Sequence, residues 1–468
     1  MKPQSARLHE LERLLRLATP LAAAHAGNQL MTVVDTAIVG RLGAVELAAV
    51  GLASNLFFPV MVLGMGAMMG FDPLVSQALG AGDERRARWL LWQGVWLAVA
   101  TGLLLAVPMA LLPAILGPIG IAPEVARKAT QYILVRTAGL VPLFLYVGLR
   151  SYLQAVGVTR PMIVAVVVAN LFNAGCTLLL VFGGASLPAW TGPLRLVPPL
   201  GVIGAAVATV LCTVLQVAIV ALAVRAIPAP ALGAGERRLD RAEVRTAVRL
   251  GLPVGLQMAA EVGVFALVGL LVGRLGSAEL AAHQIALTLA SFSFSIAVGF
   301  GAAGSVRVGR AIGARDAAGT RRAGFVALAG GGGGMALWSL LFLAMPEGFA
   351  ALLSDEAEVI RTAAPLLLVA AAFQVFDGLQ AVGAGILRGA GDTRFAFVAN
   401  LVGHYAVGLP VAILLGYHAD LGVTGLWWGL CTGLIAVALT LAFRFARLSA
   451  RPIAPIAPGA AADPALTG

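Results

Sequence analysis

Charge is scarce in this chain of 468 residues. Asp, Glu, Lys and Arg together make up 12% of the sequence, whereas hydrophobic residues make up 60%, and the mean hydropathy is +0.93. A soluble domain of this length would not have so apolar a composition. The shortage of charge therefore excludes a soluble globular protein and predicts a membrane protein.

Motifs for catalysis, metal binding and nucleotide binding are missing as well. The histidines are scattered without the spacing of metal ligands, and the glycine run at 330–334 lacks the Lys-Ser/Thr of a phosphate loop. No convergent catalytic groups occur, so a membrane enzyme acting on a lipid substrate is disfavoured and we expect no cofactor. The three cysteines lack paired spacing, and we interpret them as packing residues: Cys176, Cys212 and Cys431.

Long apolar runs are what the sequence has instead. About twelve runs of roughly 20 residues occur, each long enough to cross about 30 Å of hydrocarbon as a helix. Their length and their Leu, Ala and Gly content favour helices over the strands of a barrel. We therefore expect an all-α polytopic membrane protein. The runs lie near 17–39, 47–70, 89–112, 129–149, 161–183, 200–224, 247–272, 280–303, 323–345, 361–385, 395–416 and 421–443.

Basic residues are distributed unevenly between the two sides of these runs. With the N-terminus inside, 25 of the 32 Lys and Arg lie on the inner side and six on the outer side, while Arg136 lies within a span. This asymmetry predicts that both termini are cytoplasmic. The net charge of +10 thus reflects orientation in a membrane, and we expect no binding of nucleic acid.

Internal repetition divides the chain into two copies of six helices. From Pro20 to Asp83, residues of the first half match residues of the second half at a constant offset of 233, and later matches have offsets of 234 and 221. Because six is even, both copies start on the same side and are related by an axis along the membrane normal. Two such lobes around a cleft are the architecture of an alternating-access carrier. The matching pairs are Pro20 and Pro253, Val39 and Val272, Gly80 and Gly313, and Asp83 and Asp316.

Composition marks the boundaries between the parts. A stretch rich in Pro, Gly and charge separates the two copies, and the Pro/Ala/Gly-rich end of the chain is expected to be disordered. The N-terminus has no cleavable signal pattern. The expected divisions are a cytoplasmic segment at 1–16, an N-terminal lobe at 17–225, a cytoplasmic linker at 226–246, a C-terminal lobe at 247–445 and a disordered cytoplasmic tail at 446–468.

For two acids at membrane depth, a structural role is an alternative to a role in transport. A carboxylate near the centre of a spanning helix costs roughly 2.5–3.5 kcal/mol, which calls for a reason. Asp72 stands directly before Pro73 after a glycine, and this pattern predicts a helix cap. Asp35 aligns with Val268, so the repeat does not explain it. It either takes part in transport or pairs with Arg136.

Two further acids belong to the second copy. Glu261 and Asp377 lie near the middles of spans seven and ten, with no base in the spans of their own lobe. We interpret them as a cation- or proton-binding site, for which Na⁺ is one candidate, against the alternative of a structural carboxyl pair. Phe265 and Phe373 each lie four residues from one of the acids, so either cation–π binding or plain ring packing explains them.

A polar and aromatic stripe follows span eight. Gln284, Thr288 and Phe292 recur every four residues and therefore share one helix face. This stripe either lines a substrate cavity or makes hydrogen bonds between helices.

Several long segments carry a family resemblance. They are VDTAIVGRLGAVELAA, LVSQALGAGD, GLPVGLQMAAEVGVFALVGLLVGRLG, AAHQIA and FDGLQAVGAGILRGAGDTR. The chain resembles multidrug and toxic compound extrusion transporters of the bacterial NorM type. The resemblance implies a V-shaped pair of six-helix lobes and cation-coupled export of drugs and dyes. It also assigns the acids of helices one, seven and ten to Asp35, Glu261 and Asp377, whereas Asp72 departs from the family pattern.

The expected partners follow from this resemblance and from the intramembrane charges. A flippase for lipid-linked sugars would need a cavity rich in Arg and Lys, but only Arg136 is clearly intramembrane. Cationic or amphipathic drugs are therefore the favoured substrates, with H⁺ or Na⁺ as the coupling ion. We expect a multi-pass protein of the bacterial inner membrane, in contact with lipid and without an obligate protein partner.

The charge asymmetry generates a topology prediction. Reporter fusions placed after Gly468 should be active only when the reporter requires the cytoplasm, and the same should hold for a fusion in the loop containing Arg237. A fusion at either position that is active in the periplasm would overturn both the orientation and the helix count.

Overall fold

The computed structural model describes residues 3–185 and 188–457, which are almost entirely helical and contain no strand. The helices of the first lobe are α1 Pro3–Gly40, α2 Ala44–Met69, α3 Phe71–Gly80, α4 Glu84–Leu111, α5 Pro123–Thr137, α6 Leu140–Val156, α7 Arg160–Phe182 and α8 Val202–Ala226. The helices of the second lobe are α9 Arg241–Gly273, α10 Ser277–Gly313, α11 Ala317–Ala344, α12 Pro346–Ala351, α13 Ala357–Gly389, α14 Thr393–Leu401, α15 Leu409–Ile413 and α16 Gly422–Leu448.

The predicted number of membrane spans is recovered when α1 is included. In the part of the chain that the structure describes, ten helical stretches are long and apolar enough to cross a membrane, and the pair α5 and α6, bent by 45°, makes an eleventh. Helix α1 has the length, with 38 residues, but polar side chains such as His25, Asn28 and Asp35 lower its hydropathy. Counting α1 gives twelve, with α2 and α3 forming one span.

Equivalent helices pack in equivalent ways in the two lobes. Helix α1 packs against α7 in the first lobe, and α9 packs against α14 in the second. The pairs α4 with α6 and α11 with α13 correspond in the same way, as do α7 with α8 and α15 with α16. The internal repeat read from the sequence is therefore a repeat of packing.

The two lobes touch along helices whose contact points are glycines. Helix α2 lies against α9, and both α1 and α3 lie against α10. A Cβ atom added at Gly66 would lie 2.1 Å from the Gly255 Cα atom, and one at Gly80 would lie 2.0 Å from the Arg310 carbonyl oxygen. Only residues without a side chain permit such an approach of two backbones. We call this set of contacts the seam.

The seam lies in one half of the molecule. We call the side that carries the Arg-rich loops the basic face, and the cross-lobe contacts of Gly66, Gly80, Gly299 and Gly313 all lie in the half nearest it. In the other half, Leu30 and Val33 of α1 and Phe292 of α10 are exposed. The lobes therefore meet at the basic face and separate toward the opposite face.

The linker between the lobes and the last described residues are both fixed to the seam half. In the linker, Gln93 of α4 donates to the Arg238 carbonyl at 2.9 Å and accepts from the Asp240 N–H at 2.8 Å. The expected disorder from residue 446 onward is wrong for 446–457. Helix α16 continues to Leu448, and the Ile456 N–H donates to the Gln77 side chain at 2.8 Å. Residues 458–468 lie outside the described ranges.

The seam geometry generates a prediction about helix α2. Alanine normally stabilises a helix relative to glycine by about 0.5–1 kcal/mol. Gly66→Ala should nevertheless lower the midpoint of thermal unfolding, because its methyl group would meet the backbone of α9. Gly51→Ala is the matched control, since open space surrounds Gly51 on the same helix. Equal midpoints for the two variants would contradict the close contact.

Candidate functional site

A carboxylate of the first lobe is held by neutral donors from two other helices. The Asp35 Oδ1 atom accepts hydrogen bonds from the Asn173 amide at 2.5 Å and from the Thr177 hydroxyl at 3.2 Å, both on α7. Its Oδ2 atom accepts from the Thr209 hydroxyl of α8 at 3.4 Å. Asn173 and Thr177 are fully buried. Asp35 therefore lies at the junction of α1, α7 and α8.

Arg136 does not pair with Asp35. Its guanidinium carbon lies 5.2 Å from the ring centre of Phe57 and 5.9 Å from that of Tyr132. Among the described ion pairs, all with N···O separations within 4.0 Å, none involves Arg136. The structural alternative for Asp35 is thus not formed as an ion pair in this conformation, and the groups in direct contact with its carboxylate are neutral hydrogen-bond donors.

A second polar group lies inside the second lobe. The Gln380 amide of α13 donates to Glu261 Oε1 of α9 at 2.5 Å, and Asn400 of α14 lies beside Glu261. Asp377 lies one turn before Gln380 on α13, is 8% exposed, and is close enough to Glu261 for the two charges to repel. The structure thus brings the two acids of spans seven and ten into one polar group.

On α13 and along the span that begins with α14, several buried polar atoms have no hydrogen-bond partner. The Gln380 Oε1 atom and the Gln374 Nε2 atom are buried without a hydrogen-bond partner, as are both amide atoms of Asn400 and both ring nitrogens of His404. Buried polar atoms normally have partners, so each of these needs an explanation. A cation, a proton or water between the carboxylates would provide one.

The chemistry of the donors fits a hard cation. No group of three or more His, Cys, Asp or Glu side chains within residues 3–185 and 188–457 could hold a metal ion. A Na⁺ ion would therefore take oxygen ligands from Glu261 and Asp377 together with the free amide oxygens of Gln380 and Asn400.

The backbone beside this group departs from regular α-helix. A π-helical segment, Val402–Gly408, contains His404, and a second, Leu414–His418, follows the short helix α15. Pro410 within α15 has no N–H to donate, which disturbs the regular hydrogen-bond ladder. Widened turns of this kind recur at functional sites.

The two predicted aromatic residues form part of the core. The rings of Phe265 and Phe373 meet edge to face with 6.0 Å between centres, and Phe373 lies 5.5 Å from the ring of Trp427. Phe373 is only 2% exposed. The prediction that Phe373 lines a substrate cavity is therefore wrong for this conformation, because its ring is packed between two others. Phe265 is partly buried.

The stripe on α10 faces away from the core of its lobe. Gln284, Thr288 and Phe292 are all exposed, and the Thr288 hydroxyl donates to the Gln284 carbonyl at 2.8 Å. Ser295 and Gly299 continue the same face toward the basic side and contact α1, where the His25 ring lies 3.3 Å from the Ser295 hydroxyl. No hydrogen bond from the three stripe side chains to another helix occurs among the described contacts.

The predicted capping role of Asp72 is wrong. Gly70 keeps right-handed helical dihedrals, φ −63° and ψ −19°, so α3 continues from α2 without a free end for a cap. The Asp72 Oδ2 atom instead lies 3.3 Å from Nε of Arg388 on α13, and both side chains are about 10% exposed. This ion pair crosses the seam between the lobes.

Sequence reasoning missed the partners of the acids. Asn173 and Thr177 occur at i and i+4 on α7. Polar residues repeated at this spacing share a helix face and are detectable within an apolar run. The pairing with Gln380 has the same signal, because it lies three residues after Asp377.

The fold and the site together define a class. Two lobes of repeated helices meet at one face and separate at the other, and each lobe encloses acids at membrane depth. This arrangement is that of a two-lobe membrane transporter.

The family follows from comparison with known proteins. The MatE family model matches residues 20–179 and 253–414, one match in each lobe. A probable multidrug resistance protein NorM of Burkholderia mallei is 37% identical over 454 residues, which cover 93% of this chain and 92% of the relative. The probable NorM of Rhizobium meliloti is 34% identical over 447 residues, with 93% of each chain covered. The chain belongs to the MatE family of transporters, and it is not an enzyme.

Solved structures share the fold at lower identity. The eukaryotic MATE transporter AtDTX14 has a TM-score of 0.80 at 22% identity, covering 95% of this chain and 98% of that chain. A multidrug resistance MATE family transporter solved in an outward-facing conformation has a TM-score of 0.85 at 19% identity, covering 94% and 97%. These likenesses establish the two-lobe fold.

The Asp72–Arg388 pair generates a prediction about stability. Asp72→Asn leaves a buried guanidinium without its counter-charge, which should cost about 3–5 kcal/mol of unfolding free energy. The double variant Asp72→Asn with Arg388→Gln should recover most of this loss, because neither partner is then a buried, unpaired charge. Denaturant unfolding in detergent measures both.

An ion pair within one lobe serves as the control. Arg444 donates to Asp392 at 2.8 Å, and both belong to the second lobe. Asp392→Asn should lower stability without changing the accessibility of a cysteine introduced at Ser76 on the seam, whereas Asp72→Asn should raise that accessibility. Unchanged labelling in Asp72→Asn would show that the pair does not hold the seam.

Proposed function

We propose that this protein exports cationic and amphipathic drugs across the bacterial inner membrane in exchange for H⁺ or Na⁺, by alternating access. Both termini and the basic face lie in the cytoplasm. The single observation that carries the proposal is the presence in each lobe of a separate acid group at membrane depth, hydrogen-bonded to neutral side chains and without a basic partner within ion-pair distance. The names of the NorM relatives support the drug substrate.

The drug would enter the cleft between the lobes. In the described conformation the lobes meet at the basic face, so the cleft opens toward the outside. Nearer the basic face, the α10 face that carries Gln284, Thr288 and Phe292 meets α1. Farther from the basic face, where the lobes separate, the same face lines the cleft. An aromatic ring with nearby amide and hydroxyl groups suits a flat organic cation.

Protonation of Asp35 would change its hydrogen bonding. An ionised carboxylate accepts only, which suits the donors of Asn173, Thr177 and Thr209. A protonated carboxyl needs an acceptor, and the Asn173 Oδ1 atom is buried without a partner. Protonation would therefore reorganise the junction of α1, α7 and α8, and a proton that binds one conformation better shifts the lobes toward it.

The second-lobe group would bind the coupling ion or the drug cation. Glu261 and Asp377 repel each other when both are ionised, so a positive charge between them is favoured. A proton, a Na⁺ ion or a cationic drug would each supply that charge. Competition among them for one place is a simple basis for antiport, because binding of one promotes release of another.

The flippase alternative gains no support from these contacts. A lipid-linked sugar carries a pyrophosphate, which requires basic side chains in the cleft. Arg136 is stacked over Phe57 and Tyr132 within the first lobe instead.

The coupling proposal predicts the behaviour of two sets of variants in proteoliposomes. Ethidium efflux driven by an imposed pH or Na⁺ gradient should fall at least tenfold in Asp35→Asn, while the protein stays folded because no ion pair is broken. Glu261→Gln and Asp377→Asn should each weaken binding of the coupling ion, and the double variant should be little worse than either single one, since the two groups act as a unit.

Glu358→Gln is the matched control, because Glu358 is an exposed acid on the same helix as Asp377. It should leave efflux and ion binding unchanged. Additive losses from Glu261→Gln and Asp377→Asn in direct ion-binding measurements would show that the two acids do not share a site. Restoration of efflux in Asp35→Asn by Arg136→Gln would show that Asp35 has a structural role.

A further inference from the structure

A cavity of about 280 Å³ lies at the basic face, where the two lobes meet. Its walls come from α1 and α3 of the first lobe and from α10 and α11 of the second. The seam contact between Gly80 and the Arg310 backbone forms part of its floor. A molecule bound in this cavity would touch both lobes at once.

Four arginines line the cavity, and only one is neutralised by a carboxylate. Arg307 donates from Nε and Nη2 to the two carboxylate oxygens of Glu10, both at 2.7 Å. The second carboxylate in the wall belongs to Asp316, which accepts from the Gly319 N–H at 2.7 Å and caps α11. The arginines left without a carboxylate partner within the described residues are Arg13, Arg310 and Arg322.

Two of these unpaired arginines have buried donors. The Nε atoms of Arg310 and Arg322 are buried and make no hydrogen bond within residues 3–185 and 188–457. Arg310 also lies one turn from Arg307, and their like charges repel. Gathering positive charge with unsatisfied donors costs free energy unless an anion offsets it.

We propose that this cavity binds a phosphoryl group. Planar guanidinium groups with free N–H donors match the oxygens of a phosphate, and pairs of such bonds are strong. Basic pockets between spanning helices on the cytoplasmic side suit anionic lipid headgroups, and a free phosphate presents the same chemistry. The occupant would hold α1 and α3 against α10 and α11, and so favour the conformation in which the basic face is closed.

Binding itself does not depend on drug transport, so it is tested on the purified full-length protein without a drug. The midpoint of thermal unfolding is measured in detergent with increasing inorganic phosphate. It is then measured in mixed micelles that contain either short-chain phosphatidylglycerol or short-chain phosphatidylcholine. A rise with phosphate identifies a soluble anion, and a rise only with phosphatidylglycerol identifies a lipid headgroup; either result supports the site. No rise with any of the three overturns it.

The variants test whether these arginines form the site. Arg310→Gln and Arg322→Gln should each weaken binding of the effective probe about tenfold, as expected for the loss of a charge-assisted hydrogen bond. Arg13→Gln should also weaken binding of the probe. It tests the site without disturbing the fold, because Arg13 is exposed. Arg321→Gln is the control for net charge, since exposed Arg321 stacks on Phe325 outside the cavity. Equal weakening by Arg321→Gln would overturn the proposal.

Discussion

A carboxylate placed within a membrane must be countered by donors or by positive charge, and this constraint decides how the helices of the protein are arranged around it. Asp35 of α1 accepts hydrogen bonds from an amide and a hydroxyl of α7 and from a hydroxyl of α8. Asp72 forms an ion pair with Arg388 across the seam. Glu261 accepts a hydrogen bond from the amide of Gln380, whereas Asp377 is repelled by the charge of Glu261. The degree to which each acid is satisfied separates the structural acid from those suited to exchange a cation.

The two lobes share a scaffold but not a chemistry. Their helices pack in equivalent pairs, and the MatE model matches once in each. In the first lobe a single acid is surrounded by neutral donors, which suits a group that exchanges a proton. In the second lobe two acids lie beside amides that have unpartnered polar atoms, which suits a larger ion with oxygen ligands. The two copies therefore share a frame and differ in the polar side chains that it carries.

Sequence reasoning succeeded where the signal depends on composition and period. Hydrophobic runs predicted the spans, and the constant offset predicted the repeat, because neither depends on which helices become neighbours. It failed for Asp72, since a rule about the residues beside a proline cannot see a base on another lobe. It failed for the tail because a Pro/Ala/Gly composition does not reveal a single backbone bond from Ile456 to Gln77. The burial of Phe373 likewise depends on Trp427, which is distant in the sequence.

The docking of the tail has a mechanical consequence. The chain passes between the lobes through the linker held by Gln93, and the end of the second lobe returns to the first where Ile456 binds Gln77. Both attachments are at the basic face. With two attachments along one edge, the lobes rotate most easily about the line that joins the two attachments. Separation of the lobes at the opposite face leaves both attachments intact, whereas opening of the basic face would have to break them together with the seam contacts.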